Sequence, residues 1–275
     1  MKLTQKEKAE RFRTLHGQAG TFLIPNPWDG GSARLLEHQG FEALATSSGA
    51  CAATLGRRDG KVTREEAMEH CYQITSATSL PVSADLENGF AADPNAVAET
   101  IRLAADAGLV GGSIEDFSGD AAGGQFDLGL ATERIAAAVE AARALPFYFT
   151  LTARAENYFR GKPDLDDTIK RLAAYELAGA DVLFAPALPD LAAVRAVCAA
   201  VRKPVNFMVG IRGKSFTVAE LQAAGVQRIS FASSLYRAAM TGLLAATREI
   251  KDAGTFEYLD LSMTTPEMNA FLKGD

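Results

Sequence analysis

Eight short apolar runs, capped helical segments between them, and polar residues gathered at one end of the runs predict an α/β fold, a single (β/α)8 TIM barrel. The runs are TFLIP (21–25), ALATSS (43–48), PVSADL (81–86), GGSIED (111–116), FYFTLTARA (147–155), DVLFAPA (181–187), KPVNFMV (203–209) and RISFAS (228–233). Most are near-continuous Val, Ile, Leu or Phe, the pattern of parallel strands covered on both faces. The opening stretch MKLTQKEKAERFRTL reads as a charged helix, with neither the apolar core of a signal peptide nor a membrane span.

The intervening helices have readable ends. Thr63–Glu66 and Thr217–Glu220 match the capping box, in which each side chain satisfies a free N–H at the helix start. Asp93 and Pro94 supply an N-cap and a first-turn proline, and Gly108 stops that helix. Within it Val97, Ile101, Ala104 and Ala105 mark the inward stripe. One unit per roughly 30 residues suits a barrel or an open doubly wound sheet. No G-x-G-x-x-G turn follows the first strand, which favours the barrel. The tail after Tyr236 exceeds one closing helix and ends, past a Gly254 linker, in the capped segment TTPEMNAFLKG. We expect one domain over residues 1–275, with 255–275 as a helical arm that packs or makes a subunit contact.

Composition narrows the partners. The chain has 275 residues and a formal net charge of −6, with no Lys/Arg-rich run, which argues against nucleic acid and anionic membranes as partners. Cys51, Cys71 and Cys198 lie far apart without metal-type spacing, as suits a reduced, cytoplasmic protein.

A barrel of this kind carries its active site at the C-terminal ends of the strands. There the runs end in Ser47-Ser48-Gly49, Asp85-Leu86-Glu87, Glu115-Asp116 and Arg154, and Asn206 interrupts the apolar seventh run. Their opposite ends read Pro81, Pro146 and Lys203-Pro204, which are structural starts. Asp85, Glu87 and Glu115 come from adjacent strands and would repel one another unless they share a proton or hold a cation. An oxygen-only set favours Mg²⁺ or Mn²⁺ over zinc. The competing arrangement is an ion-pair network in which Arg154 neutralises the acids. Ser47, Ser48 and Gly49 suit an anion, and Arg154 offers a fork for a carboxylate or oxyanion. Asn206 is a core hydrogen-bonding residue or a ligand contact. The glycine-rich stretch FSGDAAGGQFDLGL (117–130) is a candidate lid or a surface loop.

NPWDGGSARLLEHQGFEALATSSG, LGRRD, SADLENGF, GGSIED and LTARAENY, in that order, resemble the isocitrate lyase/phosphoenolpyruvate mutase superfamily over residues 20–240. The resemblance implies a (β/α)8 barrel that binds Mg²⁺ and a small 2-oxo or 2-hydroxy carboxylate. It also implies a homotetramer, a dimer of dimers with a helix beyond the eighth strand swapped between subunits. By position Asp85 resembles the direct metal ligand, with Glu87 and Glu115 acting directly or through waters. Asp59 resembles the acid near the reacting centre, and Ser47, Ser48 and Gly49 the carboxylate-binding segment. Arg154 resembles the arginine that steadies an oxyanion, and Asn206 the strand-seven substrate contact. Glu87 stands where most relatives have aspartate.

Two departures bear on the reaction. The K-[KR]-C-G-H loop of isocitrate and methylisocitrate lyases is replaced by SGDAAGGQFD, without its cysteine, lysine or histidine, and Pro186 follows strand six where those lyases carry glutamate. We therefore expect a divergent, Mg-dependent carbon–carbon lyase that cleaves an isocitrate-like substrate, or decarboxylates or hydrolyses an oxaloacetate-like one. The alternatives are a 2-oxo-acid binder with little or no turnover and a phosphonopyruvate-type P–C bond enzyme. A Schiff-base aldolase would need a lysine at a strand end, whereas Lys61, Lys162 and Lys214 fall in loops.

Overall fold

The computed structural model describes residues 3–119 and 124–272. Eight parallel strands form one sheet: β1 (Phe22–Ile24), β2 (Leu44–Ala45), β3 (Val82–Asp85), β4 (Gly111–Glu115), β5 (Thr150–Arg154), β6 (Val182–Phe184), β7 (Val205–Met208) and β8 (Arg228–Ser230). Each falls inside one of the eight apolar runs. The order β1-β8-β7-β6-β5-β4-β3-β2 brings the first two strands together as the edges of a nearly closed barrel. That seam is bridged by Ala45 N–H donating to the Pro25 carbonyl at 3.0 Å. Buried Asn26 reinforces it by donating to the Thr46 carbonyl at 2.8 Å, while on the β8 side it accepts from the Phe231 N–H at 2.7 Å.

The helices are α1 (Gln5–Gly17), α2 (Gly30–His38), α3 (Ser48–Thr54), α4 (Arg64–Ala77), α5 (Pro94–Asp106), α6 (Leu128–Arg143), α7 (Leu165–Leu177), α8 (Leu191–Ala200), α9 (Val218–Ala223), α10 (Ser234–Asp252) and α11 (Thr265–Leu272). Both expected capping boxes form, at Thr63–Glu66 and Thr217–Glu220. Asp93 caps α5, and Gly108 follows its end at φ +86°, a conformation glycine adopts without strain. Helix α3 starts at the Ser47 turn, and its seven residues are too few to show a period in the sequence.

Outward strand residues such as Ile114, Leu151 and Leu183 join Val97, Ile101 and Leu172 in the apolar layer between sheet and helices. Helix α1 closes the N-terminal mouth: Phe12, fully buried, packs with Ile24, Ala43 and Val110. Gly111 makes room for it, since a Cβ there would stand 2.9 Å from the Phe12 ring and 2.8 Å from the Thr150 carbonyl.

Beyond β8 the character changes. Helix α10 buries none of its residues and leaves Leu243, Leu244 and Ile250 exposed. Helix α11 returns to α2, where Arg34 Nη1 donates to the Leu272 carbonyl at 2.8 Å. Among the described residues no helix is long and apolar enough to cross a membrane.

Candidate active site

The C-terminal ends of β2, β3, β4 and β5 open into one cleft of about 550 Å³. Ser47, Ser48, Gly49, Asp59, Asp85, Glu87, Glu115 and Arg154 all line it. Asn206 does not. It lines a smaller chamber of about 50 Å³ that shares Ser47, Asp85 and Arg154 with the cleft.

Asp85 is fixed by the start of α3. Its Oδ2 accepts from Ser48 N–H at 3.2 Å and Ser48 Oγ–H at 2.9 Å, while Oδ1 accepts from Glu87 N–H at 3.2 Å. A carboxylate at a helix N-terminus meets unpaired N–H groups and the positive end of the helix dipole. Ser48, expected to hold a ligand's carboxylate, therefore gives both donors to Asp85, and Ser47 caps α3 through Ala50 N–H. Gly49 brings Asp59 close, for a Cβ built on it would stand 3.4 Å from Asp59 Oδ2.

Glu87 sits in the left-handed region at φ 48°, a conformation that costs a non-glycine residue about 1–3 kcal/mol and concentrates at functional sites. Burial first, then Asp85 and Asp59, raise its carboxyl to about 7. Glu115 is buried and pushed well above the usual carboxylate range by desolvation, against the pull of Arg154. Its Oε2 lies 3.5 Å from Arg154 Nη1 and its Oε1 3.1 Å from Arg160 Nη2.

The arginines form a ladder that was not foreseen in full. Arg154 Nε donates to Glu156 Oε1 at 2.5 Å, and Arg160 Nε to Glu156 Oε2 at 2.7 Å. Arg154 Nη1 also lies 3.9 Å from Asp85 Oδ2. Sequence reasoning missed Glu156 and Arg160. The signal was present, for Glu156 follows Arg154 by two residues and precedes Arg160 by four. The cleft also gains Lys61 and Arg237, neither of which was assigned to it.

Asp116 takes a different part. It is bonded by Glu156 N–H, Arg171 and Tyr175 at 2.7–3.0 Å, so it anchors the strand end to α7. The base of the loop after β4 is pinned by Gln125, which donates to Asp116 and Asn157 at 3.2 Å each. Arg160 lies 3.7 Å from the Phe117 ring centroid in the same loop. The centre of the candidate lid, residues 120–123, lies outside the described residues.

Among the described residues no three His, Cys, Asp or Glu side chains form a preformed cation cage. Asp85 and Glu87 face the cleft while Glu115 is engaged by the two arginines, so part of the expected ion-pair network is real. The arginines do not reach every acid, however. Arg154 and Arg160 engage Glu115 and Glu156, while among the described residues Asp59 and Glu87 line the cleft with no ion pair to either, and Glu87 holds a proton up to about 7. The hard oxygen donors of Asp85 and Glu87 fit a divalent cation.

Residues 12–251 match the sequence pattern described as phosphoenolpyruvate phosphomutase. The chain belongs to this family. A 2-methylisocitrate lyase of Halalkalibacterium halodurans is 30% identical over 262 residues, covering 92% of this chain and 85% of that one. The 2-methylisocitrate lyase of Escherichia coli K12 is 32% identical over 237 residues, covering 82% and 79%. Among solved structures, a Burkholderia cenocepacia J2315 protein classed only as a lyase/mutase is 50% identical, covers 98% of each chain and superposes with a TM-score of 0.96. A 2,3-dimethylmalate lyase of the phosphoenolpyruvate mutase/isocitrate lyase superfamily is 26% identical, with coverage of 98% and 95% and a TM-score of 0.87. The family comprises lyases and mutases, and superfamily members are metal-dependent, commonly on Mg²⁺.

Proposed function

We propose that this family member is a Mg²⁺- or Mn²⁺-dependent carbon–carbon lyase acting on a small 2-oxo or 2-hydroxy di- or tricarboxylate. The observation that carries the reading is the convergence of Asp59, Asp85, Glu87 and Glu115 on one cleft, where burial and the neighbouring acids keep a proton on half-buried Glu87. Asp85 and Glu87, with Glu115 released from its arginines, would hold the cation. When bound, it supplies Lewis-acid stabilisation of the charge that develops on the substrate's C2 oxygen.

The chain's own residues supply the rest. Arg154 is held by buried Glu156, so its guanidinium stays beside Asp85 and Glu115 without reorganising as charge builds on a ligand oxygen. Asp59, exposed on the cleft wall beside Gly49, is placed to take a proton or hold a water. Arg237 and Lys61 line the same cleft and offer cations to a second carboxylate. The described part of the loop after β4 has no cysteine, lysine or histidine to give a proton, which favours protonation by water.

The test is a panel of 2-oxo and 2-hydroxy di- and tricarboxylates with Mg²⁺, with products identified. Cleavage, decarboxylation or hydrolysis of one member supports the reading. Tight Mg-dependent binding without product would instead make the protein a 2-oxo-acid binder, a reading that the missing loop residues favour. The exposed apolar residues of α10 support a homotetramer in which this helix is covered by a second copy of the chain.

A further inference from the structure

A line of hydrogen bonds from one arginine to neutral partners rises through the barrel from its floor. Arg228, the first residue of β8, is 5% exposed. Its Nε donates to Asn206 Oδ1 at 2.8 Å and its Nη2 to Thr152 Oγ1 at 3.0 Å. Its Nη1 faces His16 Nε2 at 3.4 Å. The other ring nitrogen, His16 Nδ1, lies 2.8 Å from the Phe12 carbonyl and so must carry the hydrogen, leaving Nε2 as an acceptor for the arginine. Asn206, Thr152 and His16 are thus all neutral partners.

A buried guanidinium without a counter-ion opposes folding. Burial depresses Arg228 to about 9, and no carboxylate among the described residues offsets that shift. Arg154, the other arginine lining the 50 Å³ chamber, stands in the opposite condition, with Asp85, Glu115 and Glu156 around it. Of the two, Arg228 is the cation with charge to spare. It also dictates the Asn206 amide. With Oδ1 accepting from Arg228, the amide nitrogen must point the other way, where it donates to Ser230 Oγ at 3.0 Å. A flipped amide would set its NH₂ against the guanidinium. Asn206, Ser230 and Arg228 all line the chamber.

We propose that Arg228 is a positioning residue for an anionic ligand: it locks the Asn206 amide in one orientation, and its uncompensated charge draws a carboxylate down towards the chamber. This rests on the reading of the cleft as a carboxylate site.

The test keeps the ligand-facing residues intact and changes only the arginine's neighbour. Thr152 touches Arg228 behind the chamber and is not among its lining residues. Thr152→Asp supplies the missing counter-charge, and Thr152→Asn supplies nearly the same shape without it. Oxalate, the smallest ligand with two adjacent carboxylates, is titrated calorimetrically into each protein in Mg²⁺ buffer. We expect Thr152→Asp to bind oxalate about tenfold more weakly and Thr152→Asn to stay within about twofold of wild type. Arg228→Met should lose a similar factor and Arg228→Lys should regain part of it, with thermal melts confirming that each is folded. Equal oxalate affinity in Thr152→Asp and Thr152→Asn, at the wild-type value, overturns the inference while the functional reading stands. Failure of the wild type to bind either oxalate or pyruvate overturns the carboxylate reading, and this inference with it.

Discussion

Glu156 holds Arg154 in place. The fully buried carboxylate accepts from Arg154 Nε at 2.5 Å and shares its second oxygen with Arg160 at 2.7 Å. Without it, the Arg154 charge would fall wholly on Asp85 and Glu115, two of the acids proposed to hold the cation. Glu156→Gln should therefore weaken Mn²⁺ binding and slow turnover of any substrate found. Breaking a buried pair costs about 3–5 kcal/mol, so a denaturant melt should also show a clear loss of stability. Unchanged stability together with unchanged Mn²⁺ affinity would remove Glu156 from this role.

Asp85→Ala should abolish high-affinity divalent uptake, a larger effect than the roughly 10–100-fold typical of an outer partner of a metal ligand. Its structural cost should be modest, about 1 kcal/mol for the lost bonds to the start of α3. Calorimetric titration with Mn²⁺ and a melt in chelator-treated buffer check the two halves separately. Collapse of the fold in that buffer would instead mark Asp85 as a structural ion-pair member.

His16 makes an acid-stability prediction. Burial and Arg228 lower its ring from the ordinary 6.5 to about 3, so the folded protein keeps it neutral where the unfolded chain would protonate it. Because the unfolded state binds the extra proton between those values, the contribution is fully present above pH 6.5 and is lost as pH falls towards 3. The slope from this one residue is at most about 1.4 kcal/mol per pH unit. His16→Gln should be less sensitive than wild type over that window in urea melts. Parallel curves would contradict the assignment.

Charge placed on α10 should disassemble the protein. Leu243 and Leu244 are 56% and 54% exposed in the single chain, which is unusual for adjacent leucines on a long helix. Leu243→Asp with Leu244→Asp should shift the mass seen by light scattering towards the monomer. A wild type that is already monomeric would refute the proposed assembly.

The barrel was legible because parallel strands covered on both faces announce themselves as continuous Val, Ile and Leu runs, and because capping residues mark where the helices start. The strands proved shorter than the runs. At β2, for example, the strand stops at Ala45, the Thr46 carbonyl accepts from Asn26, and Ser47 caps α3. Acids at strand ends were also readable, although β3 stops at Asp85 and Glu87 reaches the same cleft from a left-handed turn residue rather than by strand alternation. What the amino-acid order hides is pairing across distance. Arg160 reaches Glu115 over 45 positions, and Arg228 reaches Thr152 over 76. The engagement of Ser48 was hidden for the same reason, because its donors are used by an aspartate 37 residues away.

The junction of β1 and β2 has a mechanical consequence. Every other neighbouring pair of strands is laced by a ladder, whereas among the described residues this one depends on the main-chain bond at Ala45 and the reach of Asn26 to Thr46. Breathing of the cylinder should start there, and deuterium should enter at the Ala45 amide before it reaches those of β4 and β5. Asn26 is in that sense the latch of the barrel, set one strand away from Ser48, which steadies Asp85.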